Sequence, residues 1–252
     1  MRVAFVGKGG AGKSAIAGTF ARLLARRGEP VLVVDSDPLP GLAYSLGVET
    51  TDAGIPDEAV VENPAEAGPR YVLAGELTAA DAVERYAVRG PDGVRVLQFG
   101  KIRDSGRGLI RSQFAFRQIT AQLPDDKWNI VGDLPGGTRQ PFLGWGRYAR
   151  TILVVVEPMA KSILSAKRLA RLALAEDAPR VVAVVNKVCE DGDVERVQDR
   201  TGLEVVGAVP LDEELAEADR KGRPPIEEAP DSPAVKAIDL LVERLRAEEA
   251  GA

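Results

Sequence analysis

Short apolar runs alternate along the chain with longer stretches in which apolar residues recur every three or four positions. The runs at 3–6, 31–34, 94–99, 128–131, 152–156, 181–185 and 205–209 are mostly Val, Ile and Leu. Near-continuous runs of this kind are expected of strands covered on both faces. After the first run, Ile16, Phe20, Leu23 and Leu24 predict a helix that Gly28 and Pro30 end. Ile110, Phe114, Phe116 and Ile119 predict another over 109–123, and further helices are expected over 159–175, near Val194 and over 211–221. The alternation predicts an α/β fold: a mostly parallel twisted sheet of about seven or eight strands with helices on both faces. Residues 47–93, rich in Gly, Pro, Asp and Glu, read as an excursion at the domain edge with one helix near 77–87. No internal repeat or linker divides the chain, so one domain over 1–252 is expected.

The turn after the first strand carries the chemistry. Gly7, Gly12, Lys13 and Ser14 fill G-x-x-x-x-G-K-[ST] between a strand and a helix, the context this motif requires. Gly7, Lys8, Gly9, Gly10, Ala11, Gly12, Lys13, Ser14 and Ala15 are therefore the expected cradle for a nucleoside triphosphate. Its glycines let backbone N–H groups turn inward as an anion nest, and the helix start adds its positive end. Lys13 supplies a point charge to the β- and γ-phosphates, and Ser14 a hydroxyl to Mg²⁺.

Ligands of open α/β sheets lie at the carboxyl ends of strands. Asp35 and Asp37 follow the second run, and Asp133-Leu134-Pro135-Gly136 ends a later one. Asp133 is placed like a Walker B carboxylate that holds Mg²⁺ through water, with Asp35 nearer Mg²⁺ and the P-loop. Asp37 is expected to orient the attacking water; Gly136 can bring an N–H to the γ-phosphate, and Gly137 lets that loop move. Base identity follows from Asn186-Lys187-Val188-Cys189. A guanine-reading N-K-x-D stretch needs a carboxylate at its last position, and a thiol is too weak an acceptor to replace it. ATP is thus expected over GTP, with Asn186 bonding the purine edge and Pro210 nearby.

Composition narrows the partners. The chain of 252 residues is 45% hydrophobic and 28% charged with a net charge of −5, so no global attraction to nucleic acid or anionic membrane is expected. With one cysteine, Cys189, and no histidine, it offers no internal disulfide and poor ground for zinc, nickel or an iron–sulfur cluster within one subunit. Oxygen ligands and Mg²⁺ remain. The N-terminus reads as strand and P-loop instead of a signal peptide, and no apolar run approaches the roughly 18 residues of a membrane span. A cytoplasmic protein is expected. The last helix, over 232–247, gathers Val235, Ile238, Leu241, Val242 and Leu245 on one face. Glu243, Glu248 and Glu249 disfavour an anionic membrane, so it is expected to pack on the core.

Lys8, directly after the first glycine of GKGGAGKS, resembles the deviant P-loop of a family of dimeric ATPases. That family includes chromosome-partitioning and septum-site proteins, the nitrogenase iron protein and nickel-maturation ATPases. There this lysine reaches the nucleotide of the partner subunit, so the resemblance implies a homodimer across two nucleotides, with Lys8 joining Lys13 and Asp37 as catalytic groups. VVDSDPLPGLAYSLG, ERYAVRGPDGVRVLQFGKI, VGDLPGG, VVNKV and VGAVPLDEELAEADRKGRPP are similar to the ATPases that assist nickel insertion into carbon monoxide dehydrogenase. They imply a Mg-ATP-dependent switch acting on a client protein in metalloenzyme or cofactor assembly.

One departure matters. Those ATPases place a C-x-C pair after the G-K-I stretch, whereas Gly100-Lys101-Ile102 is followed by RDSGRGLIRSQFAFRQ, without cysteine. The ATPase parts carry over and the metal-carrying part does not. Lys101, Arg103, Arg107, Arg111 and Arg117, against the single acid Asp104, leave three readings: a face that meets the other subunit, a docking surface for an acidic partner, or a non-specific DNA patch. The alternative function is a partitioning or positioning ATPase acting on DNA or a membrane-associated partner, against which the acidic terminal helix counts.

Overall fold

A computed structural model describes residues 1–37, 41–49, 55–65, 68–98, 106–137, 144–175 and 179–251, with the backbone alone at 106–110, 112 and 175. Its main sheet is built from β1 (Arg2–Gly7), β2 (Val31–Asp35), β5 (Val88–Arg89), β6 (Arg95–Gln98), β7 (Asn129–Asp133), β8 (Thr151–Val156), β9 (Arg180–Val188) and β10 (Val205–Pro210). The spatial order is β10-β9-β8-β1-β7-β2-β6-β5. Every pairing is parallel except β5 on β6. The expected mostly parallel sheet of about seven or eight strands is thus present, with eight.

β1 and β2 are buried from end to end and β8 from Ile152 onward, because each face packs under its own helices. Val3, Phe5, Val33, Val131 and Leu153 meet α1 (Lys13–Arg26) and α9 (Pro233–Ala250) on one face. Ala4, Val6, Val34, Ile130 and Val154 meet α4 (Gly106–Ala121), α5 (Ala160–Ala175) and α6 (Asp193–Thr201) on the other. Alternate residues of one strand thus feed two cores, which is why the runs show no polar interruption. The terminal helix buries Val235, Ile238, Leu241, Val242 and Leu245, as its sequence predicts.

Helix starts follow side-chain caps. Asp212 accepts from the N–H groups of Glu214 and Leu215 and moves the start of α7 (Glu213–Arg220) two residues past expectation. Ser232 caps α9 through the N–H of Val235. In the 47–93 excursion the expected helix is α3 (Ala79–Tyr86), capped by Thr78. The excursion also holds a hairpin of β3 (Val60–Glu62) and β4 (Tyr71–Leu73), and β5 contributes the sheet's eighth strand. Strands of two or three residues carry no readable period, so the sequence does not announce them. Two further short helices, α2 (Leu42–Leu46) and α8 (Pro225–Glu228), flank α1. Functionally, the decisive feature is strand order: β1, β7 and β2 are immediate neighbours, so the three strand ends singled out by sequence lie side by side.

Candidate functional site: a P-loop flanked by buried carboxylates

The P-loop leaves β1 at Gly7, where any Cβ would lie 2.5 Å from the carbonyl oxygen of Val155 on β8. Ala11 N–H donates to the Lys8 carbonyl at 3.1 Å, closing the turn. Gly10 and Gly12 take φ of 83° and 87°, the left-handed region that glycine enters without steric cost. Gly12 precedes the first turn of α1, so the loop's amides and the helix start face the same space. Lys13 is buried and Lys8 is exposed.

Ser14 Oγ donates to Asp133 Oδ2 at 2.5 Å, joining the P-loop helix to the end of β7. Asp133 and Asp35 are directly paired across β7 and β2, each about 1% exposed. Asp35 Oδ1 accepts the N–H of Asp37 at 3.0 Å, and half-buried Asp37 lies beyond the strand end. Ser36 donates to the Asp133 carbonyl through both Oγ (2.8 Å) and N–H (3.1 Å), latching the Asp35–Asp37 turn to β7. Gly136 reaches back to the P-loop: a Cβ there would be 3.5 Å from the nitrogen of Gly9. Lys8, Gly9, Gly136 and Gly137 line a cavity of about 260 Å³ that runs under α5.

Both carboxyls are held in an environment that resists their charge. Burial pushes Asp133 up from 3.8 to about 6, with Lys13 and the Ser14 hydroxyl opposing and Asp37 adding to the rise. Asp35 is raised well above the ordinary carboxylate range, by burial first and then by the charges of Asp133 and Asp37; the Asp37 N–H and Lys13 act against them. Asp35 Oδ2 and Asp133 Oδ1 are buried without a hydrogen-bond partner. Buried anionic oxygens without a cation are costly, and hard oxygen donors beside a hydroxyl suit Mg²⁺, so Ser14, Asp35 and Asp133 fit that ion. Among the described residues no three His, Cys, Asp or Glu side chains converge to hold a metal directly. Mg²⁺, which keeps several waters, does not require such a cage.

Asn186 and Lys187 have a role that the sequence reading did not assign. Asn186, expected at the purine edge, is buried and donates Nδ2–H to the Ala11 carbonyl at 2.8 Å. Lys187 Nζ bonds the Gly10 carbonyl at 3.2 Å and pairs with Glu157 at 2.6 Å. The pair therefore clamps the outer P-loop backbone. The extension of β9 through Val188 makes this possible, because it carries both residues past the expected strand end at 185. Pro210 pairs with Val188, two residues beyond Asn186. Ser36 and Glu157 were also missed: single polar residues at strand ends carry no motif.

Of the basic segment, Lys101, Arg103 and Asp104, and the side chain of Arg107, lie outside the described residues. Arg111 sits over the Tyr71 ring at 5.7 Å, and Arg117 packs against Gly144, where a Cβ would be 2.4 Å from its guanidinium. These two arginines are engaged with their own chain.

Residues 3–226 match the CobQ/CobB/MinD/ParA nucleotide binding domain. The chain belongs to this family. It is a P-loop ATPase whose matched region spans all the site residues above. An ATP-binding protein of Methanocaldococcus jannaschii is 30% identical over 89% of this chain and 90% of its own. The carbon monoxide dehydrogenase accessory protein CooC of Rhodospirillum rubrum is 26% identical over 88% of each. In fold, the septum site-determining protein MinD of Pyrococcus horikoshii, solved with Mg-ADP, superposes with a TM-score of 0.74 at 18% identity, covering 98% of this chain and 96% of that one. No helix among the described residues is long and apolar enough to cross a membrane.

Proposed function

We propose that this ATPase is a Mg-ATP-driven homodimeric switch that acts on a client protein in the assembly of a metalloenzyme or its cofactor. The observation that carries the nucleotide part is the Ser14–Asp133 bond beside the unpartnered oxygens of Asp35 and Asp133. The client part is supported by the likeness to the accessory protein CooC along most of both chains.

Each residue's task follows from its place. The P-loop amides and Lys13 bind the β- and γ-phosphates and neutralise their charge. Mg²⁺, when bound, supplies further charge neutralisation at the phosphates. Ser14, Asp35 and Asp133 would hold it, the carboxylates through water. Asp37, anchored by its own N–H on Asp35, orients the attacking water in line with the γ-phosphorus. Gly136 offers a backbone N–H to the γ-phosphate, and exposed Lys8 reaches the phosphates of the partner subunit. Asn186 keeps its second amide N–H for the adenine edge, near Pro210. Hydrolysis removes the γ-phosphate and with it the charge that draws Lys8 across, so the dimer loosens and the client is released.

DNA or membrane binding receives less support. The terminal helix is spent on core packing, and its Arg244 and Arg246 are paired with Glu204, Glu248 and Glu29. A trapped complex tests the reading. Asp37→Ala should bind Mg-ATP, turn it over at least about a hundredfold more slowly, and retain the client on an affinity column in ATP but not in ADP. Normal turnover in Asp37→Ala, or equal client retention in both nucleotides, would contradict it.

A further inference from the structure

Three buried polar atoms without partners lie at the carboxyl ends of three neighbouring strands: Gln98 Nε2, Asp35 Oδ2 and Asp133 Oδ1. Two are acceptors and one is a donor. Asp35 is in direct register with Gln98 on β6 and with Asp133 on β7. Register partners of a parallel sheet point to the same face, and neighbouring strands lie about 4.8 Å apart, so the three side chains form one row. Tyr148 approaches from the opposite face, where it packs in the core with Ile130 and Leu134. Its hydroxyl fills the space over Gly132, where any Cβ would lie 1.6 Å from the oxygen. Gly132 has no positive φ, so it is the hydroxyl above it, and not the backbone, that calls for glycine there. The strand backbone thereby separates this hydroxyl from the Asp133 carboxylate, which points to the other face.

A leucine or methionine at 98 would fill much the same volume without an unsatisfied polar atom. A buried donor left without an acceptor destabilises a fold, so one in the same row as two bare carboxylate oxygens calls for a use beyond packing. We infer that Gln98 is a positioning residue for the Asp35–Asp133 pair, the donor that orients Asp35 when the Mg-nucleotide complex binds. Gln98 N–H serves Asp35 Oδ2 from within the row, while Oδ1 of the same carboxylate holds the Asp37 N–H. The Asp35 carboxylate thus links Gln98 to the water-orienting turn. The other carboxylate of the pair is already held, through Asp133 Oδ2, by the Ser14 hydroxyl. Hydrogen bonds of this kind fix the groups around a metal and tune its affinity.

The inference rests on the Mg-ATP reading, and one experiment separates the two. Wild type and Gln98→Met are titrated with Mg²⁺ in the presence of a fluorescent ADP analogue, and each is melted without nucleotide in chelator. The variant should need about tenfold more Mg²⁺ for half-saturation. Its affinity for the Mg-free analogue should stay within about twofold of wild type, and its melting temperature should be equal or higher. If wild type itself shows no Mg-dependent binding, the proposed function fails. If wild type shows it, a Gln98→Met protein that keeps the wild-type Mg²⁺ requirement, or melts several degrees lower, overturns the assignment.

Discussion

Asp133→Asn should make the nucleotide-free protein more stable at neutral pH while disabling it as an ATPase. The carboxyl is about 1% exposed and is raised from 3.8 to about 6, chiefly by burial. Between those values the folded state keeps a proton that the unfolded chain releases. Stability therefore falls as pH rises through this window, and the loss is complete above about pH 6. At about 1.4 kcal/mol per pH unit, the ionised carboxylate costs about 3 kcal/mol at neutral pH. Asparagine occupies nearly the same volume and can still accept the Ser14 hydroxyl bond, so the variant avoids that cost without opening a cavity. Urea denaturation in chelator from about pH 4 to pH 8 provides the assay. The two proteins should be nearly equal at about pH 4 and diverge to a gap of about 3 kcal/mol in favour of the variant by about pH 7. Parallel stability curves, or a variant less stable at neutral pH, would refute the claim that the fold holds an uncompensated carboxylate ready for a cation.

Asn186→Ala removes a buried donor from the Ala11 carbonyl, a loss of about 1–3 kcal/mol localised on the P-loop. Calorimetry should show ADP affinity falling by about tenfold or more; an unchanged affinity would mean the clamp is not needed for the cradle. ADP should bind more tightly than GDP, because Cys189 stands where a guanine-reading carboxylate would be. Equal affinities would remove the base assignment.

The sequence made the site's chemistry legible before its geometry. Gly7 to Ser14 form a local motif with a known strand–turn–helix setting, and Asp35 and Asp133 end apolar runs, so each could be read within a few residues. That these ends lie side by side follows from the order β1-β7-β2, a long-range fact carried by no single segment. Asn186 has a second task that the sequence does not announce for a related reason: the register of β9 turns one of its amide N–H groups to the Ala11 carbonyl. Gln98 was invisible because a lone glutamine has no signature until strand register places it beside a carboxylate. The excursion at 47–93 yielded its helix, whose apolar positions recur, but not its three-residue strands.

The central claim is that nucleotide state controls pairing of two subunits through Lys8, an exposed lysine with no necessary task in its own P-loop because Lys13 is already there. Light scattering and phosphate release on wild type and Lys8→Ala test it most directly. Wild type should approach twice the monomer mass of 26.8 kDa with Mg-ATP and return towards it in ADP. Lys8→Ala should bind ADP normally, stay monomeric in ATP and lose turnover in the same step. A Lys8→Ala protein that pairs in ATP and releases phosphate at the wild-type rate would contradict the account.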